Sequence, residues 1–266
     1  MTGARTEPAA SGRGGGSVQS VERAARLLEI LAREGEASSG AIARELGVHG
    51  STITRLAAAL EAHELVSRGA GAGGLQLGAG LLRLADAARL PRDLASRSAA
   101  VCEELAARLG ETVNVAVLRE GAAVNLFQAQ GPSSVAMHNW VGDRTVLHAT
   151  SSGKVLLAQL PSAEAEALLA VPLERFTPAT STDPDALLAE LALVRERGWA
   201  TAVEEFEPGL NAVAVPILRR GEDGQETIGA LSIAGPAYRM APGRLQGIAA
   251  ELVAGAEDIS RRLAPR

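Results

Sequence analysis

SSGAIARELGVHGSTITRLAAAL, residues 38–60, decides how the rest of the chain is read. Ser38 or Ser39 is placed to cap a short helix burying Ile42 and Leu46, because a hydroxyl ahead of the first turn accepts from the helix's free N–H groups. Gly47 and Val48 break that helix. Another opens near Ser51 and buries Ile53, Leu56 and Leu60. Upstream, Val21, Ala24, Leu27, Leu28 and Leu31 recur at three- and four-residue steps, while Glu22, Arg23, Arg26, Glu29 and Arg33 take the other face, and Gly35 is the stop. Downstream, Leu65–Arg68 reads as a short strand. A turn containing Gly69, Gly71, Gly73 and Gly74 leads to a second strand with Leu75 and Leu77 on one side. Three short helices, the last two joined by a glycine turn, followed by a hairpin, predict a winged helix-turn-helix over residues 17–78.

The third helix then carries the chemistry of this segment. Opposite its apolar face stand Ser51, Thr52, Arg55 and Ala59, with Thr54 at the margin and His49 just ahead. Hydroxyls and free N–H groups at a helix N-terminus suit phosphate, and an arginine there reaches guanine O6 and N7 in a major groove. The plainer alternative makes Ser51 and Thr52 ordinary caps and Arg55 a solvated charge. The helix, turn and wing around them favour DNA.

Composition sets the outer bounds. The 266 residues suffice for two domains, and 47% hydrophobic with 21% charged residues describes a globular chain with a sizeable core. No run of about 18 apolar residues spans a membrane, and no apolar signal segment follows the first arginines, so a cytoplasmic protein with no membrane partner is expected. The single cysteine, Cys102, forms no internal disulfide and no cysteine-rich zinc site. Acids and bases balance over residues 1–78, so the net charge of −5 falls on the remainder. A strongly basic nucleic-acid footprint is missing, and the case for DNA rests on pattern.

Glycine-rich residues 1–16 predict a disordered tail, and residues 79–92, with Leu81, Leu82, Leu84, Ala85 and Ala88 ending at Pro91, a linker helix. Residues 93–266 make a second domain. A helix runs from Leu94 through Val101 and Leu105 to Leu109. Then Val113, Val115 and Val117 alternate with Asn114 and Ala116, and Glu120-Gly121 turns into Val124–Phe127. Further strands are expected near Ser134–Asn139, Val213–Leu218 and Thr227–Ile233, and helices at 151–159, 162–170, 184–197 and 243–262. The fold class is α+β with a mostly antiparallel sheet, since no regular βαβ alternation exists.

Several motifs in the second domain invite chemistry. Ser151-Ser152-Gly153-Lys154 matches the Ser-x-x-Lys of serine acylases, yet Lys154 is the sole lysine, so the companion Lys-Thr-Gly is absent. The competing reading puts Ser151 and Ser152 at a helix N-terminus that holds the polar end of a ligand without reaction. Glu204 and Glu205 resemble an acid/base pair, but neighbours on an extended segment point to opposite sides, and with Glu207 they read as an exposed turn. His138 and His148 with a glutamate form an alternative metal site; without HExxH spacing a structural role is the default, and no metal or cofactor is expected. Gly69, Gly71 and Gly74 spell GxGxxG without the strand and helix a dinucleotide site needs, so they read as a wing tip. Cys102 is expected on the inner face of its helix beside Leu105.

Taken in order, several segments resemble the IclR family of bacterial transcriptional regulators. These are Ser20–Ala24, the helix pair from Ile42 to Leu60, Leu65-Val66, Leu147–Thr150 with Gly153-Lys154, Arg197–Trp199, Glu204–Gly209 and Ala230–Pro236. The resemblance covers residues 17 to about 263. It implies a winged helix-turn-helix that binds double-stranded promoter DNA, a linker helix used in dimerisation, and a C-terminal effector-binding domain related to GAF and PAS sensors. Dimers or tetramers, a small organic effector and regulation without catalysis follow from it, as repressor or activator on the same fold. Many members carry Pro-Lys where His49-Gly50 stand here, and an arginine or tyrosine near Gly74 and Leu75, so weaker phosphate contacts are expected. The family's effector positions fall on Met137, Ser151, Ser152, Leu210 and Ser232. They also fall on Ala202, Ala212 and Ala234, where some members use Asp, Cys and Ser. Those alanines predict a less polar or bulkier effector than a two- or three-carbon oxoacid, with Trp140 and Phe206 near the pocket. Two rival readings remain: a serine acylase using Ser151 and Lys154, and a sensor whose winged helix binds protein.

Overall fold

The computed structural model describes residues 15–69, 74–87, 92–132, 139–221 and 224–263. The chain divides into two compact units, Met1–Leu90 and Pro91–Arg266.

The first unit runs α1 (Gly15–Glu34), β1 (Glu36–Ser38), α2 (Ser39–Leu46), α3 (Gly50–Ala62), β2 (Val66–Arg68), β3 (Gly74–Leu77) and α4 (Gly80–Ala87). Leu27, Ile30 and Leu31 of α1, Ile42 of α2, and Ile53 and Ala57 of α3 close on Val66 and Leu75 in one core. Ser38 is the cap of α2: its Oγ accepts from the Ala41 N–H at 3.2 Å. Gly47 ends α2 at φ +64, a left-handed conformation in which a Cβ is strained. Two expectations change. α1 opens at Gly15, inside the stretch read as tail, because extending an existing helix is far easier than nucleating one. Val21, read as inward, is exposed, since the three-helix core begins only at Leu27.

The wing is a three-stranded sheet in the order β1-β3-β2, all antiparallel. β1 was not legible, being three residues long with only Ala37 half-buried. The Glu36 carboxylate lies against Gly69 and Gly74, where an added Cβ would overlap it. Gly71 and Gly73 lie outside the described residues.

The second unit contains α5 (Arg92–Leu109), β4 (Thr112–Arg119), β5 (Ala122–Ala129), β6 (Arg144–Thr145), α6 (Ser151–Ala158), α7 (Ser162–Leu169), α8 (Pro184–Arg197), β7 (Ala200–Val203), β8 (Leu210–Gly221), β9 (Gly224–Pro236) and α9 (Pro242–Leu263). One six-stranded antiparallel sheet has the order β6-β5-β4-β9-β8-β7. On one face Val113, Val115, Val117, Val213, Val215, Ile217, Leu231 and Ile233 meet α5 and α9. On the other, Ala116, Ala123, Ala200, Ala214 and Ala230 meet α6, α7 and α8. The alternation in β4 therefore sorts residues between two covered faces rather than between core and solvent, and Asn114 is buried on the alanine face, opposite the valines. Small side chains on the second face let α6 approach so closely that all eight of its residues are buried.

β6 and β7 are short additions at the sheet edges that period-two patterning did not reveal. The strand expected near Ser134–Asn139 lies outside the described residues except for Asn139, which is in no strand. No described helix is long and apolar enough to cross a membrane.

Candidate functional site

Two sites emerge, one in each unit. In the first, α3 opens at Gly50 with His49 as its N-cap residue, whose side chain makes no capping bond. Burial of Ile53 and Ala57 fixes the helix's rotation and turns Ser51, Thr54 and Arg55 outward, with Thr52 half-buried and His49 exposed beside them. The Thr54 hydroxyl donates back to the Gly50 carbonyl at 3.1 Å. Among the described residues Arg55 has no ion-pair partner, whereas Arg68 at the wing is held by Glu61. The face thus offers hydroxyls, backbone N–H groups and an unengaged guanidinium at one helix end.

In the second unit a cavity of about 80 Å³ opens between the alanine-rich sheet face, the start of α6 and the 204–210 loop. Ser151, Ser152, Ala202, Leu210, Ala212, Ser232 and Ala234 all line it, so seven of the eight positions singled out in the sequence converge there. Met137, the eighth, and His138 lie outside the described residues. Trp140 and Phe206 form an aromatic wall, their rings edge-on with centroids 5.9 Å apart, and Phe176 continues the row beyond Phe206 at 5.0 Å.

Sequence reasoning missed Asn114, Asn125, Thr145, Ala149 and Thr150. Asn114 and Asn125 sit in strands read as half-buried, where an asparagine passes as a solvent-facing residue. Two asparagines within otherwise apolar paired strands were the available signal. Asn114 Oδ1 is buried without a hydrogen-bond partner. A buried amide in that state marks a place where something polar is meant to arrive.

α6 is capped by Thr150, whose hydroxyl accepts from Gly153 N–H at 3.2 Å and donates to the Val146 carbonyl at 2.7 Å. Ser151 and Ser152 therefore occupy the first turn, with their N–H groups at the positive end of the helix dipole. Gly153 is required here, because a Cβ would press on the Leu147 backbone.

Lys154 completes the turn but not as an activator of Ser151. Only 1% exposed, its ammonium donates to Glu190 Oε1 at 2.9 Å, Glu205 Oε1 at 2.8 Å and the Thr201 carbonyl at 3.3 Å. Glu205 Oε2 is 2.7 Å away, held by charge rather than by a directed bond. An ammonium with three acceptors is a fixed cation, so this geometry disfavours the acylase reading. The exposed turn expected at Glu204–Glu207 needs correction at Glu205. Glu204 adopts φ +54, which breaks the extended run and turns the Glu205 carboxylate inward to Lys154 and the Val203 N–H. Burial raises the Glu205 pKa above the usual carboxylate range, against the opposing pull of Lys154.

Elsewhere, His148 Nε2 pairs with the Glu174 carbonyl at 2.9 Å, a structural role. Among the described residues no group of three metal-ligating side chains comes together. Cys102 is fully buried beside Leu105, and burial pushes its thiol pKa up to about 12.

Comparison with known proteins gives the family of both units. Residues 20–70 match the IclR helix-turn-helix domain and residues 89–261 the bacterial transcriptional regulator IclR C-terminal domain. The HTH-type transcriptional repressor AllR of Salmonella typhimurium is 36% identical over 250 residues, covering 92% of this chain and 90% of the relative. The HTH-type transcriptional regulator BhcR of Paracoccus denitrificans is 30% identical over 252 residues, covering 94% and 89%. Among solved structures, Thermotoga maritima IclR superposes with a TM-score of 0.72 at 28% identity over 92% of this chain and 99% of that one. An IclR homologue from Microbacterium hydrocarbonoxydans, complexed with 4-hydroxybenzoate, gives 0.68 at 28% identity over 92% and 98%. The molecule is a helix-turn-helix, DNA-binding regulator of transcription. The chain belongs to the IclR family of bacterial transcriptional regulators.

Proposed function

We propose that this cytoplasmic regulator binds promoter DNA through α3 and that a small organic effector, seated in the cavity of the second unit, sets its affinity. Ser51, Thr52, Thr54, Arg55 and His49 would make the DNA contacts, with Arg55 reading base edges and the others holding phosphate. Ser151, Ser152, Leu210, Ser232, Ala202, Ala212 and Ala234, with Met137, would hold the effector. The observation that carries the reading is the convergence of those polar positions, with an unpartnered Asn114, on one cavity at the start of α6. The complex of the Microbacterium homologue with 4-hydroxybenzoate supports a ligand-bound state for this fold.

A homodimer or homotetramer fits the same picture. Val18 and Val21 on α1, and Leu82 and Leu84 on α4, expose apolar side chains that a second copy would cover. Two winged units would then engage the half-sites of a pseudo-palindrome. Effector binding would bias the assembly between two arrangements, with coupling of roughly 1–3 kcal/mol. The repressor AllR suggests repression as the sign. Catalysis is no part of the proposal, because Lys154 is committed to Glu190 and Glu205.

The test is a fluorescence-anisotropy titration on DNA from the gene's own upstream region, at two salt concentrations, beside Arg55→Ala and a scrambled duplex. Tight binding that is lost in Arg55→Ala and on the scrambled duplex is the expected result. Equal, weak, salt-sensitive binding to both duplexes would mean phosphate attraction alone and would sink the assignment of α3.

A further inference from the structure

Arginine pairing divides the surface of the first unit. Arg33 is held by Glu45, Arg68 by Glu61 and Arg83 by Glu64, whereas Arg55 on α3 has no ion-pair partner among the described residues. The Arg68 pair joins the wing to α3. Arg68 Nε lies 2.7 Å from Glu61 Oε1 and Nη2 donates to Oε2 at 3.2 Å, so the two carboxylate oxygens hold two arms of the guanidinium.

Strand and helix geometry bring these side chains together. Arg68 is two residues from buried Val66 on β2 and stands opposite buried Leu75 on β3. Its side chain therefore leaves the sheet on the face that packs against the helices. Glu61 extends the Ile53–Ala57 row of α3 by one more four-residue step. The pair thus sits on the flank of α3 rather than on the face of Ser51 and Arg55. Glu36 sets a second carboxylate beside the wing, against Gly69 and Gly74.

With Arg68 59% and Glu61 26% exposed, the pair adds little to stability. Its consequence is electrostatic. A DNA phosphate that recruits Arg68 must displace both contacts to Glu61 and then lie beside the carboxylate it has freed. Exchanging one oxyanion for another on those terms leaves little net gain.

We propose that Glu61 is a positioning residue that withholds Arg68 from the DNA backbone, keeping sequence-independent attraction low and leaving recognition to α3. The balanced charge of residues 1–78 works in the same direction. The proposal goes beyond the contacts assigned to α3 and rests on that helix docking on DNA.

The experiment is fluorescence anisotropy of the full chain on a mixed-sequence duplex across about 50–200 mM salt. Wild type, Glu61→Gln, Arg68→Gln and the double variant are compared, with thermal melts confirming that each folds. Glu61→Gln should steepen the fall of log affinity with log salt by about 0.9, the signature of one added phosphate contact. It should then lose about threefold more affinity than wild type over that range. Arg68→Gln should keep the wild-type slope, and the double variant should return to it. No steepening in Glu61→Gln would overturn the proposal. So would a steeper slope that persists in the double variant, since the gain would then come from the lost charge of Glu61 alone. A shallower slope in Arg68→Gln would show Arg68 already on phosphate and overturn it too. Arg55→Ala on the gene's upstream duplex, run alongside, tests α3 separately: undiminished binding there would sink the α3 reading whatever the slopes of the other variants.

Discussion

Lys154 shows how one residue ties the walls of the cavity together. Its partners come from α8, β7 and the 204–209 loop, while its own helix supplies Ser151 and Ser152. Lys154→Met would leave two carboxylates facing each other in a largely buried site. It should destabilise the second unit by about 3–5 kcal/mol in urea titrations, partly recovered by adding Glu205→Gln. The raised pKa of Glu205 gives a pH signature. The folded state holds that proton more tightly than the unfolded chain, so its stabilising contribution is complete below 4.5, the value of an unperturbed glutamate, and is lost as pH rises through the folded value. Wild type should gain stability relative to Glu205→Gln on acidification across that interval, as read by melting temperature against pH; parallel curves would refute it. Cys102, with its thiol pushed up to about 12, should resist alkylation at pH 8 in the native state and react only on unfolding.

At the scale of elements, helix ends carry the specificity of the fold. Ser38→Ala removes the cap of α2 and should cost about 1 kcal/mol, measured by chemical denaturation. Gly153→Ala forces a methyl against the Leu147 backbone and the Thr150 hydroxyl, so α6 cannot seat in its place. The variant should lose effector binding together with stability. In the wing, Gly74→Arg restores a residue type common in the family and meets only the movable carboxylate end of the exposed Glu36, so the first unit should keep its stability in chemical denaturation.

For the whole molecule the decisive quantity is charge. Residues 1–78 carry no net charge, and the total of −5 lies beyond them. With few cations available to displace counterions, log affinity for DNA should fall with log salt far less steeply than the slope of about −10 of the lac repressor. A slope that steep would mean phosphate contacts that α3 and the described wing do not supply. With α3 as the proposed reading helix, binding energy would depend on its geometry against base edges, and Arg55→Ala should cost specificity as well as affinity.

Period and punctuation in the sequence determined the helices, the wing hairpin and the antiparallel character of the sheet. A turn of helix or a two-residue alternation is encoded within a few neighbours: Ile53 and Leu60 orient α3, and Ser38 and Gly47 bound α2. The family resemblance further located most of the cavity's walls. Tertiary structure alone decided what depends on partners far away along the chain. Helices cover both faces of the sheet, and that turned Asn114 and Asn125 from surface residues into buried ones. Strand register aligned Ala202, Ala212 and Ala234 into one row. A left-handed turn at Glu204 brought Glu205 to Lys154, 51 residues away. Local propensity cannot encode such a meeting, because its energy exists only once β7, α6 and α8 have already packed.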